Sequence, residues 1–189
     1  IGTAGNDIID GLGSADILKG GLGNDTYLVD VDNVSGVAKI QDTVVELINQ
    51  GTDTLDLRAG DLGLLTPSTL TLDPNLENID ISATGTNLLN VTGNGANNRI
   101  TGNDADNIIN GGLGADRMAG GAGGDTYYVD NKGDLVIETS NSPPAGPLLF
   151  ALAIGSGIDK VIASVNYAWT AFVENLELTG STALNATGN

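Results

Sequence analysis

A nine-residue period constrains this chain more than any other feature. Seven nonamers run in phase, at 2–10, 11–19 and 20–28 and again at 93–101, 102–110, 111–119 and 120–128. Position one is Gly in all seven. Position six is Asp7, Asp16, Asp25, Asn98, Asn107, Asp116 and Asp125. Position eight is Ile9, Leu18, Tyr27, Ile100, Ile109, Met118 and Tyr127. A degenerate continuation, VDNKGDLVI at 129–137, brings Asp134 to position six once more. Glycine this frequent excludes a helical repeat. Positions one to six call for φ > 0 or a close backbone approach, both open to Gly. Positions seven to nine alternate, so the side chain at position eight points inward. Two nonamers then make one coil with a turn on each side. Turns n and n+2 stack at the spacing of a strand ladder, about 4.8 Å.

A longer period relates the two halves. GGLGNDTYLVD at Gly20–Asp30 returns as GGAGGDTYYVD at Gly120–Asp130. Downstream, Asp42–Glu46 matches Asp134–Glu138, Gly51–Asp53 matches Gly157–Asp159, and Leu76–Ile79 matches Val173–Leu176. Leu89–Asn94 matches Leu184–Asn189. The expected organisation is two tandem units, 1–91 and 92–189. Each opens with nonamers (2–28 and 93–137) and continues as a spacer (29–91 and 138–189). The spacers alternate apolar and polar residues around 43–48, 78–82, 160–165 and 175–179, which predicts strands. The simplest architecture continues the coil through both units as one solenoid. Asn33–Lys39 and Ser142–Gly155 are predicted to be loops on its side, the second carrying Pro143-Pro144. With no leader pattern at its start and a repeat interrupted at its end, the chain reads as a piece of a longer protein.

Charge narrows the function. Lys and Arg number 7 against 24 Asp and Glu, for a formal net charge of −17, and there is no Cys and no His. Such a surface cannot neutralise phosphates, so nucleic acid is excluded as a partner. Disulfides, thiolate sites and the usual zinc and histidine general-base chemistry are absent. The longest apolar run, Leu148 to Ile154, falls far short of the ~20 residues of a membrane span. Of the acidic residues 19 are Asp, a turn former, and 5 are Glu. Oxygen-rich turns without basic partners suit a hard cation. An ion midway between turns about 4.8 Å apart sits near the 2.3–2.6 Å of calcium–oxygen bonds, longer than the ~2.0–2.1 Å of magnesium.

The nonamers resemble the RTX (haemolysin-type calcium-binding) repeat G-G-x-G-x-D-x-U-x. The match is intact at Gly20–Leu28, Gly111–Ala119 and Gly120–Tyr128, and weaker at Gly93–Thr101, where Asn98 replaces Asp. The resemblance implies an all-β fold: a right-handed parallel β-roll or β-solenoid in two tandem copies, with several Ca²⁺ in the Gly-Asp turns. The family's ligand scheme takes carbonyls of positions one and three plus the position-six side chain from one turn. From the turn two repeats later it takes carbonyls two and four and that turn's position six. It pairs Gly2, Ala4 and Asp7 with Gly21, Gly23 and Asp25, and Gly102, Asp104 and Asn107 with Gly121, Gly123 and Asp125. On the opposite side it pairs Gly93, Gly95 and Asn98 with Gly112, Gly114 and Asp116. A further site joins Gly111, Leu113 and Asp116 to Asp130 and Asp134. Asp16 belongs to the same position-six set. Sites using Asn98 or Asn107 are expected to be weaker, because an amide keeps the oxygen and loses the charge. Asp30 and Asp130 are expected to end the calcium stacks.

Other acidic groups leave more than one reading. Glu46 with Asp53, and Glu138 with Asp159, recur in both units and either share a calcium or face water. Asp30-Val31-Asp32-Asn33 fails as an EF-hand loop, which needs Gly at the place of Ser35 and an acid at that of Gln41. Tyr27 and Tyr127 are expected in the core, and Tyr167, Trp169 and Phe172 in core or end packing. Thr92, Thr101 and Thr187 are too few for an ice-binding ladder.

The functional expectation is a non-catalytic calcium-binding structural repeat of a large secreted or cell-surface bacterial protein, of adhesin, S-layer or filament type. Resemblance to type I secretion substrates implies export unfolded and folding on extracellular calcium, with neighbouring repeats or further copies of the chain as partners. The alternative is a non-catalytic accessory module of a secreted protease, lipase or polysaccharide-modifying enzyme. Stacked carboxylates repel one another and Gly-rich backbone has much entropy to lose. The nonamer blocks are therefore expected to be largely unfolded without the ion.

Overall fold

A computed structural model describes residues 1–138 and 157–188. In chain order the strands are β1 (Ile8–Asp10), β2 (Ile17–Leu18), β3 (Thr26–Val34), β4 (Val37–Ile40), β5 (Thr43–Val44) and β6 (Thr54–Arg58). They continue with β7 (Ser68–Thr71), β8 (Asn78–Asp80), β9 (Leu89–Thr92), β10 (Arg99–Thr101), β11 (Ile108–Asn110) and β12 (Arg117–Ala119). The last are β13 (Thr126–Val129), β14 (Leu135–Ile137), β15 (Lys160–Ala163), β16 (Tyr167–Ala168), β17 (Asn175–Leu178) and β18 (Ala186–Thr187). One short 3₁₀ turn, Ser82–Thr84, is the only helical element among the described residues.

The chain alternates between two parallel sheets. The first runs β1-β3-β6-β8-β10-β12-β14 and the second β7-β9-β11-β13-β15-β17. The pairs β2–β5 and β16–β18 are also parallel. The boundary expected at 91/92 interrupts neither sheet: β8 pairs β10 and β9 pairs β11 across it. The spacers therefore continue the coil.

Register explains why nonamers and spacers stack on each other. Ile9, Tyr27, Leu55, Ile79, Ile100, Met118 and Val136 stand opposite one another along the first sheet. Leu70, Val91, Ile109, Tyr127, Val161 and Leu176 do so along the second. All but Ile9 and Leu176, which are partly covered, are buried. Each fully buried rung contributes about 1.5–3 kcal/mol of transfer free energy. The spacer strands enter the ladders because they carry the same acid-x-apolar triplet as the nonamers, as in Asp53-Thr-Leu55, Glu77-Asn-Ile79 and Asp159-Lys-Val161.

Two local expectations need revision. Asn33–Lys39 is not a loop but most of an antiparallel hairpin, in which β3 and β4 pair from Val31↔Ile40 to Val34↔Val37. Its two-residue turn, Ser35-Gly36, has φ of 57° and 87°, as a type I′ turn requires. Positive φ within the nonamer turns falls at positions two and four, not throughout positions one to six. The predicted loop Ser142–Gly155 lies outside the described residues. Tyr27 and Tyr127 are fully buried, and Tyr167 closes over the core with Trp169 packed against it. Phe172 remains half-exposed.

Candidate calcium-binding turns

The turns entering the first sheet form one edge of the stack, and those entering the second form the other. On each edge one hydrogen bond repeats: the position-six side chain accepts the backbone N–H of the position-six residue one coil earlier. On the first edge Asp7 N–H donates to Asp25 Oδ1 (2.8 Å), Asp25 N–H to Asp53 Oδ1 (2.8 Å) and Asp53 N–H to Glu77 Oε2 (2.8 Å). Further along, Asn98 N–H donates to Asp116 Oδ1 (2.7 Å) and Asp116 N–H to Asp134 Oδ1 (3.0 Å). On the second edge Asn107 N–H donates to Asp125 Oδ1 (2.7 Å), Asp125 N–H to Asp159 Oδ1 and Asp159 N–H to Glu174 Oε2 (both 2.8 Å). The turns entering the separate β2–β5 pair repeat the bond, with Asp16 N–H donating to Asp42 Oδ1 (3.0 Å).

The four-rung ladder Asp7–Asp25–Asp53–Glu77 thus returns as Asn107–Asp125–Asp159–Glu174 on the opposite edge. Between Tyr27 and Tyr127 the chain crosses from sheet to sheet an odd number of times. The second unit is consequently turned by half a revolution about the stack.

The other carboxylate oxygen sorts the turns into two kinds. In open turns, positions two and four are Gly with positive φ: Gly21 and Gly23, Gly112 and Gly114, Gly121 and Gly123. There Asp25, Asp116 and Asp125 are buried, and their Oδ2 atoms have no hydrogen-bond partner; Asp42 Oδ2, which follows the β3–β4 hairpin and not a glycine turn, is buried and unpartnered too. In closed turns the backbone of the same loop satisfies that oxygen. Asp7 Oδ2 accepts Thr3 N–H (2.6 Å), which holds the Asp7 carboxyl below its ordinary range. Asp134 Oδ2 accepts the N–H of Asp130 (3.1 Å) and of Asn131 (3.0 Å). Asn98 Oδ1 accepts Asn94 N–H (2.8 Å), and Asn107 Oδ1 accepts Asn103 N–H (3.0 Å).

Position one needs Gly for closeness. A Cβ at Gly20 or Gly120 would run into Asp25 Oδ2 or Asp125 Oδ2 and the tyrosine hydroxyl of the same turn. The turns that the sequence pairs do lie directly on each other. A Cβ at Gly2 would meet the Gly20 carbonyl, at Gly102 the Gly120 carbonyl, and at Gly93 the Gly111 carbonyl. Gly23 and Gly123 likewise sit on the backbone of Gly5 and Ala105.

Electrostatics follow from burying acids together. Burial, with Glu138, Asp159 and Asp106 nearby, pushes Asp125 up to about 8. Burial and neighbouring acids push Asp116 and Asp53 up to about 6. Asp159 rises for the same reasons. Buried carboxylate oxygens without donors, facing stacked backbone turns, are the kind of hard oxygen donor that calcium takes.

Not every expected residue joins a cluster. Asp30 is exposed within β3, opposite Arg58. Asp130 is exposed, and its N–H feeds Asp134. Asp104 is exposed, and its N–H bonds Gly85 O. Asn98 Nδ2 donates to Glu77 O (3.1 Å), and Asn107 Nδ2 to Leu89 O (2.7 Å), so each amide bonds a carbonyl of the preceding coil. Sequence reasoning missed Asp42, Glu77 and Glu174 as ladder members. The acid-x-apolar triplet was the signal that marked them. It also missed a second ladder at position five, where Asn6, Asn24, Asn97 and Asp106 accept N–H groups from the next coil.

Two groups of three carboxylates, Asp25–Glu46–Asp53 and Asp125–Glu138–Asp159, bring oxygens within 4.8 Å of one another. Among the described residues no helix is long and apolar enough to cross a membrane. No curated protein and no solved structure matches the chain. A family profile does: residues 1–27 and 92–127 match, in four copies, the RTX calcium-binding nonapeptide repeat, a repeat that binds Ca²⁺.

Proposed function

We propose that the chain is a calcium-folded structural module of a large secreted or cell-surface bacterial protein, and that its ions sit between the stacked turns of both edges. The carrying observation is the set of buried position-six oxygens left without donors at Asp25, Asp116 and Asp125. A polar group buried in this way costs about 1–3 kcal/mol, more when charged, and a bound cation removes that cost. The ligands assigned are Asp25, Asp116 and Asp125 through their unpartnered oxygens, with Asp7 and Asp134 adding carboxylate lone pairs beyond those their backbone N–H donors occupy, together with carbonyls of the glycine turns.

The uninterrupted sheets support a load-bearing role, since each coil is held by its neighbours and further units can add at either end. The units 1–91 and 92–189 act as successive segments of one stack. With cytosolic calcium low, the acid-rich turns repel and the chain stays unfolded for export. Millimolar calcium outside the cell folds it.

Limited proteolysis at submicromolar and at millimolar calcium tests this reading. Rapid cleavage throughout the chain is expected in the first condition and a resistant fragment spanning both units in the second. Equal resistance in both would overturn it.

A further inference from the structure

We propose that each unit carries a second kind of cation site, built where the nonamers hand over to the spacer: Asp25, Glu46 and Asp53 in the first unit, Asp125, Glu138 and Asp159 in the second. The proposal rests on the calcium reading above and extends it to spacer residues that the nonapeptide pattern does not include.

The geometry is specific. Glu46 follows β5 as Gly20 follows β2, so it occupies position one of its turn, where the nonamers have Gly. Its side chain reaches back one coil, where Oε1 accepts Gly20 N–H (3.3 Å) and the Tyr27 hydroxyl. Only a glycine at position 20 leaves this space, because a Cβ there would meet Asp25 Oδ2 and the Tyr27 hydroxyl. Asp53 supplies the third carboxylate while holding Asp25 N–H on Oδ1. Asp25, Glu46 and Asp53 are each at least nine-tenths buried. Asp25 Oδ2 and Glu46 Oε2 have no partner. The ion pairs Arg58–Asp56 and Lys160–Glu177 lie elsewhere. Three carboxylates packed together repel until protons or a cation neutralise them, and an all-oxygen set selects a hard cation such as calcium.

The second unit builds the same constellation from matching segments set at a different spacing. The acid reaching back is Glu138, bonded to the Tyr127 hydroxyl, and Asp159 holds Asp125 N–H. The two acids are 7 residues apart in the first unit and 21 in the second. Intervening lengths so unequal, converging on one arrangement, argue that the arrangement itself is what the fold retains. The half-revolution between units puts the two sites on opposite edges.

The test is the number of calcium ions bound per full 189-residue chain, by equilibrium dialysis and elemental analysis, with circular dichroism as the folding control. The double variant Glu46→Gln with Glu138→Gln keeps an oxygen for the tyrosine hydroxyl and removes one charge per site. Loss of two ions is expected, one for each cluster, with the remaining ions and the β signal retained. Asp53→Asn with Asp159→Asn, which preserves the Oδ1 acceptor, gives the same loss by an independent route. A folded variant of either pair with the full wild-type number of ions overturns the junction sites alone. A wild-type chain that binds no calcium overturns the calcium reading itself.

Discussion

Replacing Asp125 by Asn separates the two energies in the turns, because its effect changes sign with calcium. Asp125 is fully buried, and burial with neighbouring acids raises it from an ordinary 3.8 to about 8. At about 1.4 kcal/mol per pH unit across the interval from 3.8 to 7, this carboxyl costs the metal-free fold on the order of 4 kcal/mol near neutrality. Asn keeps the Oδ1 acceptor for Asn107 N–H and removes the charge. It places an amide where Oδ2 was, and an unpartnered buried amide costs about 1–3 kcal/mol. The metal-free fold is then stabilised by roughly 1–3 kcal/mol. With calcium the same substitution withdraws a charged ligand and destabilises. Urea unfolding followed by circular dichroism, once with chelator and once with excess calcium, reads both arms. The expected result is a stronger β signal than wild type in chelator and a lower urea midpoint in calcium. A shift of the same sign in both would mean that the Asp125 charge does not oppose the metal-free fold.

Further predictions follow from the same geometry. Acid should strengthen the metal-free fold. Asp53 and Asp116 near 6 and Asp125 near 8 lie above their unfolded values, so their contribution is full below about 4 and lost as pH rises through 6 and 8. Calcium affinity should rise across that window, as calorimetry at pH 5.5 and 8.5 would show. Ser14, a non-glycine residue at φ 102°, stands where the intact turns have Gly. Ser14→Gly relieves about 1–2 kcal/mol of left-handed strain against about 0.5–1 kcal/mol of added chain entropy, a net gain seen as a higher melting temperature in calcium. Gly123→Ala should lower it by far more, since its Cβ would lie 2.7 Å from the Ala105 carbonyl carbon. Asn107→Asp should lower stability and add no ion, because the Asn107 amide already bonds Leu89 O and Asn103 Oδ1. A gain of one ion would contradict this.

Much of the fold was legible because the period of nine couples two independent requirements, glycine for close turns and an apolar residue at position eight for the core. Where both stay strict, as at Gly20–Leu28 and Gly120–Tyr128, the sequence pattern and the structure coincide. The spacers were harder to read because their turns vary in length. Asp53 and Asp159 hold equivalent rungs although the chain leading to them differs in length, and only Gly-x-acid-x-apolar survives, at Gly51–Leu55 and Gly157–Val161. The hairpin at Ser35-Gly36 was hidden because its pairing is antiparallel and lies outside the parallel coil that the repeats predict. Asn98 and Asn107 show a different limit. Composition makes them weakened calcium ligands, whereas their amides bond the coil before them. Which way an amide nitrogen points depends on a neighbouring carbonyl that no local motif records.

Titration of Ca²⁺ into chelator-stripped protein, followed by circular dichroism and calorimetry with Mg²⁺ as control, asks whether calcium completes the turns and so folds the chain. A cooperative gain of β structure with several ions bound is expected, and none with Mg²⁺. A chain already fully β-structured in chelator, with no heat of calcium binding, would contradict it.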